Sequence, residues 1–218
     1  MRVLITAGGT REAIDGVRFV TNASTGKTGA FLADFFAESG GDVTLLRASS
    51  ALPATDTSVK TDTFVSVADL DRACREILGA EEFTLVIHAA AVSDFVVSGV
   101  TVDGSFYPAP LSGKLDSAKK LSVELTPGPK ILPKLKTYSK NPNLVLVGFK
   151  LTDGATDSGV QTAVKRVLSG GADFVVHNEV KDVAGQTDRR ASLWDAAGRV
   201  QIAPDEAALA RLLLRAGG

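Results

Sequence analysis

The chain has 218 residues, 44% apolar and 22% charged, enough to bury one substantial core, and a single domain over 1–218 is expected. Lys and Arg number 24 against 25 Asp and Glu, a net charge of -1, so no general positive field exists to attract nucleic acid or an anionic membrane surface. No apolar leader follows Met1 and no run of about 18 apolar residues occurs, so a soluble, cytoplasmic protein is expected. One cysteine closes no disulfide within the chain, and with 2 histidines it supplies no structural zinc site. Cys74, spaced helically from Leu70 and Leu78, reads as core packing.

Short apolar runs at 2–6, 42–47, 83–89, 144–150 and 172–178 read as parallel strands buried on both faces. Helical segments at 28–39, 67–78 and 157–169 alternate with them, the first ending at Gly40-Gly41 and the last at Gly170-Gly171, where left-handed caps belong. The alternation predicts an α/β fold, Rossmann-like and doubly wound, with a mostly parallel sheet. Near the end, 190–195 and 199–203 flank Ala-Ala-Gly and predict an antiparallel edge hairpin, followed by a helix initiated at Pro204 and reaching about Arg215. Residues 95–127 break the pattern with Gly99, Gly104, Pro108, Pro110 and Gly113. That length is too great for an ordinary connection, and with Lys114, Lys119 and Lys120 it reads as a lid or an interface arm.

Chemistry concentrates at the strand ends. After the first strand, 5–29 reads Ile-Thr-Ala-Gly-Gly-Thr-Arg-Glu-Ala-Ile-Asp-Gly-Val-Arg-Phe-Val-Thr-Asn-Ala-Ser-Thr-Gly-Lys-Thr-Gly, a turn lengthened with Arg11, Glu12, Asp15, Arg18, Asn22, Ser24 and Lys27. Gly8 and Gly9 let the backbone approach a ligand, and 24–29 opens a helix whose free amides and dipole make an anion site. This is no P-loop, because the glycine required four residues before Gly26 is missing. At 88–95, His-Ala-Ala-Ala-Val-Ser-Asp-Phe places small side chains on a strand end, exposing backbone amides to a bound group. Asp94 is there either a loop cap or a ligand for a magnesium ion on a phosphate chain. His88 reads as a strand-end hydrogen-bonding residue. A lysine cluster follows in 113–132, and 147–153 offers Phe149 either to a base or to the core.

These residues resemble phosphopantothenate-cysteine ligase, also called phosphopantothenoylcysteine synthetase, over nearly the whole chain. Residues 5–29 match the family's opening signature at most positions. The triple alanine with Val-Ser-Asp resembles its Ala-Ala-Val-Ala-Asp-Tyr, and Gly-Lys-Leu-Asp-Ser at 113–117 resembles the Lys-Ile-x-Ser of its single-domain members. Residues 147–153 and 175–179 are similar to its Phe-Lys-Leu and Ala-Asn-Asp segments. Departures are Ala13 for Pro, Thr25 for Ser, Phe95 for Tyr, and Pro129-Lys130-Ile131 in place of the Asn-Pro-Asp-Ile of the bifunctional bacterial form, which puts the nucleotide contact in doubt.

The resemblance implies a ligase of coenzyme A biosynthesis that joins 4'-phosphopantothenate to L-cysteine through an acyl-nucleotide, using CTP or ATP with Mg2+. It implies that Asn22 steers the intermediate and that Lys114 and Lys27 supply positive charge. Gly8, Gly9, Thr10, Ser24 and Gly26 would cradle the nucleotide, the amides of Ala90 and Ala91 would orient the carboxylate, Asp94 would hold the metal, and Phe149 and Arg166 would border the base. A homodimer joined by the arm is implied, as is ligation only, the family's fused decarboxylase domain being expected to be absent. Two other classes are weighed against this. An NAD(P)-dependent reductase wants a Gly-x-x-Gly-x-x-Gly turn and a Tyr-x-x-x-Lys pair, whereas Tyr107 and Tyr138 are followed four positions on by Leu111 and Pro142. A non-catalytic nucleotide-binding module has no reason to keep Asn22, Asp94 and Lys114 together.

Overall fold

The computed structural model describes residues 1–114, 120–183 and 190–218. Strand β1 (Arg2–Ala7) leads to a small hairpin, β2 (Arg11–Ala13) and β3 (Phe19–Thr21), then to helix α1 (Lys27–Glu38) and strand β4 (Asp42–Ala48). β5 (Lys60–Phe64), α2 (Val67–Ala80) and β6 (Leu85–His88) follow. Next come three strands, β7 (Phe95–Val102), β8 (Ser105–Pro108) and β9 (Leu121–Pro127), and the short helix α3 (Leu132–Tyr138). The chain ends with β10 (Val145–Thr152), α4 (Asp157–Ser169), β11 (Phe174–Glu179), α5 (Val180–Val183), β12 (Ala191–Asp195), β13 (Val200–Ala203) and α6 (Glu206–Gly217).

Eight of these strands form one sheet in the order β13-β12-β11-β10-β6-β1-β4-β5. Its pairs from β5 across to β11 are parallel, and β12 and β13 add an antiparallel edge. Strand alternation sends Val3, Ile5 and Ala7 to one face, where they pack with Leu32 and Phe36 of α1 and Leu209 and Leu213 of α6. Leu4 goes to the other, with Leu70 and Leu78 of α2, Leu135 of α3 and Val164 of α4. Leu4, Ile5, Leu32 and Leu70 have no exposed surface, and each contributes about 2 kcal/mol by its burial. Cys74 lies in the second cluster, where burial pushes its thiol up to about 12.

The α/β alternation and the edge hairpin stand as predicted from the sequence, and Gly40 and Gly171 take φ of 81° and 105° at their helix ends. Other elements differ from that reading. β5 is an additional parallel edge strand whose Lys60, Thr61, Asp62 and Thr63 are exposed, so it carries no apolar run to announce it. Residues 95–127 contribute a three-stranded antiparallel sheet, β8-β7-β9, with β7 and β8 joined at Asp103 and Gly104 in a turn with both φ positive. Helix α6 is capped by Asp205, whose carboxylate accepts from the Ala208 amide at 2.6 Å, rather than starting at Pro204.

Candidate active site at the strand switch

From β1 the chain proceeds outward to β4 and β5, then returns to β6 on the opposite side of β1. The sheet order therefore reverses between β1 and β6, and their carboxyl ends border the crevice where doubly wound folds hold ligands.

On the β1 side the two glycines serve packing inside the chain. A Cβ on Gly8, at φ 86°, falls 2.6 Å from the Ala51 Cβ and 2.7 Å from that of Ala48. One on Gly9 falls 2.3 Å from the Asn22 carbonyl oxygen. On the side where a side chain would project, both glycines are thus closed by protein. Buried Thr10 joins both sides of the crevice. Its amide donates to the Ala91 carbonyl at 3.3 Å, its hydroxyl accepts from the Ser93 amide at 3.0 Å, and its carbonyl accepts from the Thr21 hydroxyl at 2.7 Å. Much of the lengthened loop is spent on its own shape. Asp15 accepts from the amides of Val17 and Arg18 and pairs with the Arg18 guanidinium at 2.9 Å. Glu12 accepts from the Val67 amide at the start of α2, and the Arg11 guanidinium lies 4.3 Å over the Phe19 ring.

Helix α1 begins beyond this loop with Gly26 as N-cap, at φ 73° and with no side-chain cap, and its first turn holds no acidic residue. The positive end of its dipole has no acidic residue in its own turn, although Glu206 of α6 accepts from the Thr28 hydroxyl there at 3.0 Å, and it lies beside exposed Ser24 and half-buried Lys27. Lys114 enters from the other end of the chain's long excursion. The Leu111 amide donates to the Ile14 carbonyl at 3.0 Å and the Gly16 amide to the Gly113 carbonyl at 3.0 Å, which pins the residues before Lys114 to the loop. Leu115, Asp116, Ser117 and Lys119 lie outside the described residues.

On the β6 side, the Thr6 hydroxyl accepts from the Ala90 amide at 3.2 Å and lies within hydrogen-bond distance of His88 Nδ1, 2.8 Å away. Burial pushes His88 down to about 4, which keeps the ring neutral at pH 7. The Ala91 amide donates to the Gly8 carbonyl at 2.8 Å. Both amides assigned to a substrate carboxylate are therefore already donated, because the β1 and β6 chains continue to bond beyond their ladder. Asn22 crosses the crevice, its Nδ2 donating to the Val92 carbonyl at 3.1 Å. Two residues on, the Asp94 carboxylate is held by the Lys130 ammonium. A magnesium held by protein groups alone has no ligand set here: the carboxylate is paired with Lys130, and among the described residues no three His, Cys, Asp or Glu side chains converge on a metal position.

The sequence matches the family model of the DNA/pantothenate metabolism flavoprotein C-terminal domain over residues 1–215. The chain belongs to that family. A curated relative, the coenzyme A biosynthesis bifunctional protein CoaBC of Thermococcus kodakarensis, is 36% identical over 182 residues, 83% of this chain but 41% of the relative. Among solved structures, the DNA/pantothenate metabolism flavoprotein from Streptococcus pneumoniae superposes with a TM-score of 0.84 at 27% identity, covering 99% of this chain and 97% of that one. A Cab2 mutant in complex with phosphopantothenate-cysteine shares the fold with a TM-score of 0.78 at 20% identity, over 99% of this chain and 84% of that one.

Within this C-terminal-domain fold Phe149 is half-buried and packs on the α1 and α6 side of the sheet, close to the carboxyl end of β10. Arg166 is not brought to the site. It lies exposed in the last turn of α4, and that helix starts at the carboxyl end of β10 and runs back towards the amino end of β11. A second opening of about 600 Å³ lies at the ends of β10 and β11, lined by Gly154, Asp157, His177, Glu179, Lys181 and Trp194. There His177 Nε2 and the Thr152 hydroxyl are 2.8 Å apart, and the same hydroxyl donates to Glu179. Sequence reading noted Lys130 only as a departure. Its place on the rim has no local signal, since it depends on a contact with Asp94, 36 positions away.

Proposed function

We propose that this chain joins 4'-phosphopantothenate to L-cysteine at the expense of CTP or ATP. The observation that carries the reading is the Asn22 side chain bound to the Val92 carbonyl across the switch between β1 and β6, in a chain that matches the family over 1–215. The relative's printed part in coenzyme A biosynthesis and the fold neighbour's bound phosphopantothenate-cysteine support the substrate class.

In the first step a substrate carboxylate oxygen attacks the α-phosphorus of the nucleotide and pyrophosphate leaves. The cysteine amine then attacks the acyl carbonyl, loses a proton, and the nucleoside monophosphate departs. No protein nucleophile is required. The chain's task is to hold two anions together, which calls for fixed positive potential. The α1 amino end with Ser24, Gly26 and Lys27 receives the phosphates, and Lys114, delivered by the pinned 111–113 segment, approaches the same loop. Asn22 Nδ2 carries two hydrogens; one is given to Val92 and the second is available to the acyl oxygen. We propose further that the chain works as a homodimer joined through the β7-β8-β9 arm.

Pyrophosphate release with 4'-phosphopantothenate, CTP or ATP, and cysteine present or omitted tests this. Release that requires phosphopantothenate, with amide product only when cysteine is added, is expected, and the faster nucleotide identifies the base. Asn22→Asp, which places negative charge beside the acyl oxygen, is expected to lower kcat by about 100-fold. Nucleotide binding without phosphopantothenate-dependent release would sink the reading.

A further inference from the structure

Asp94 and Lys130 are 36 positions apart in sequence, and each reaches the rim on backbone anchored at both sides. Ser93, before Asp94, is buried with its amide given to Thr10, and Phe95, after it, opens β7. On the other segment Pro127 pairs with Phe95, the Gly128 amide donates to the Asp94 carbonyl at 2.8 Å, and Ile131 is fixed in the core at 2% exposure. Lys130 is thus carried on a short turn tied at its start, middle and end, and its ammonium rests on Asp94 Oδ1. Both side chains are well exposed, 65% for Lys130 and 70% for Asp94, so the pair opens at little cost.

A lone carboxylate at this rim repels an incoming polyanion; a carboxylate bearing an ammonium does not. The ammonium has three donors on a flexible stem, so it can turn one to a phosphate oxygen while keeping another on Asp94. We propose that Lys130, stored on Asp94, is the counter-ion that this site sets against the polyphosphate of its nucleotide, in the position where a carboxylate-held metal was expected from the sequence. The nucleotide as occupant rests on the function proposed above; the exclusion of a protein-held cation does not.

Manganese uptake by the full chain without nucleotide, read from loss of the free-ion EPR signal, tests the exclusion. Wild type takes up none at micromolar concentrations. Lys130→Asp, which sets a second carboxylate against Asp94, takes up one ion per chain, and adding Asp94→Asn abolishes it. Wild-type uptake that Asp94→Asn removes overturns the proposal, and so does a Lys130→Asp chain with native circular dichroism that takes up none. Calorimetry with inorganic pyrophosphate in EDTA tests the counter-ion. Lys130→Gln is expected to weaken binding by about tenfold and flatten its salt dependence, while Lys130→Arg preserves both. Equal binding by Lys130→Gln and wild type, or no binding by wild type, overturns it. Wild type that binds pyrophosphate through Lys130 yet turns over no phosphopantothenate sinks the ligase reading alone.

Discussion

Asn22 owes its position to the absence of a side chain at Gly9. A methyl there meets the Asn22 carbonyl at 2.3 Å, far inside van der Waals contact, so Gly9→Ala is expected to displace Asn22. The expected result is a loss of about 1–3 kcal/mol in urea unfolding and a fall in kcat well beyond what that loss explains. His88 gives a pH signature. Its folded pKa of about 4 lies below the ordinary histidine value of 6.5, so the unfolded chain binds the proton first and stability falls as pH drops through 6.5 towards 4. By pH 5 this costs about 2 kcal/mol relative to pH 7, and in His88→Asn the difference in unfolding free energy between these pH values, measured by urea titration, is expected to shrink by that amount. The candidate residues Asn22, Thr10 and Lys27 were legible because polar groups were added to a turn that needed none. The partners were not. That Ala90 and Ala91 spend their amides on Thr6 and Gly8 follows from how two distant strands continue past their ladder.

At the level of elements, helix α1 is held against β1 by Gly29, where an added Cβ falls 2.4 Å from the Ala7 Cβ. Alanine favours a helix over glycine by about 1 kcal/mol, but overpacking costs about 1–3, so Gly29→Ala is expected to lower stability, measured as a reduced urea midpoint at unchanged m. Helix α2 begins with a reciprocal capping box: Ser66 accepts from the Asp69 amide at 3.1 Å and Asp69 from the Ser66 amide at 3.1 Å. Ser66→Ala is expected to cost about 1 kcal/mol in the same assay. Helices with periodic faces and glycine ends declared themselves in the sequence, and α4 did so to the residue. Strand β5 did not, because an edge strand with one polar and exposed run lacks the apolar pattern by which strands are recognised. Arg166 shows the opposite failure: its helix was legible, but which end of that helix faces the site depends on the direction of the crossover.

Across the whole molecule, the β7-β8-β9 arm exposes Phe95, Phe106, Tyr107, Leu121, Val123 and Leu125, the three β9 side chains alternating onto one face. The proposed homodimer covers this arm. Sedimentation at micromolar concentration is expected to give a dimer for wild type and a monomer for Leu125→Lys, with circular dichroism unchanged; a monomeric wild type refutes the dimer. Doubly wound architecture, the edge hairpin, the family and the loop that carries Asn22 were determined by the sequence alone, because buried parallel strands, capped helices and a glycine-rich turn each leave a mark within a dozen residues. Only tertiary structure decided that Asn22 binds Val92, that Gly8 and Gly9 face protein, and that Lys130 answers Asp94. Each of those contacts joins segments far apart in the chain, and their meeting is set by sheet order and strand register, which no local stretch of sequence records.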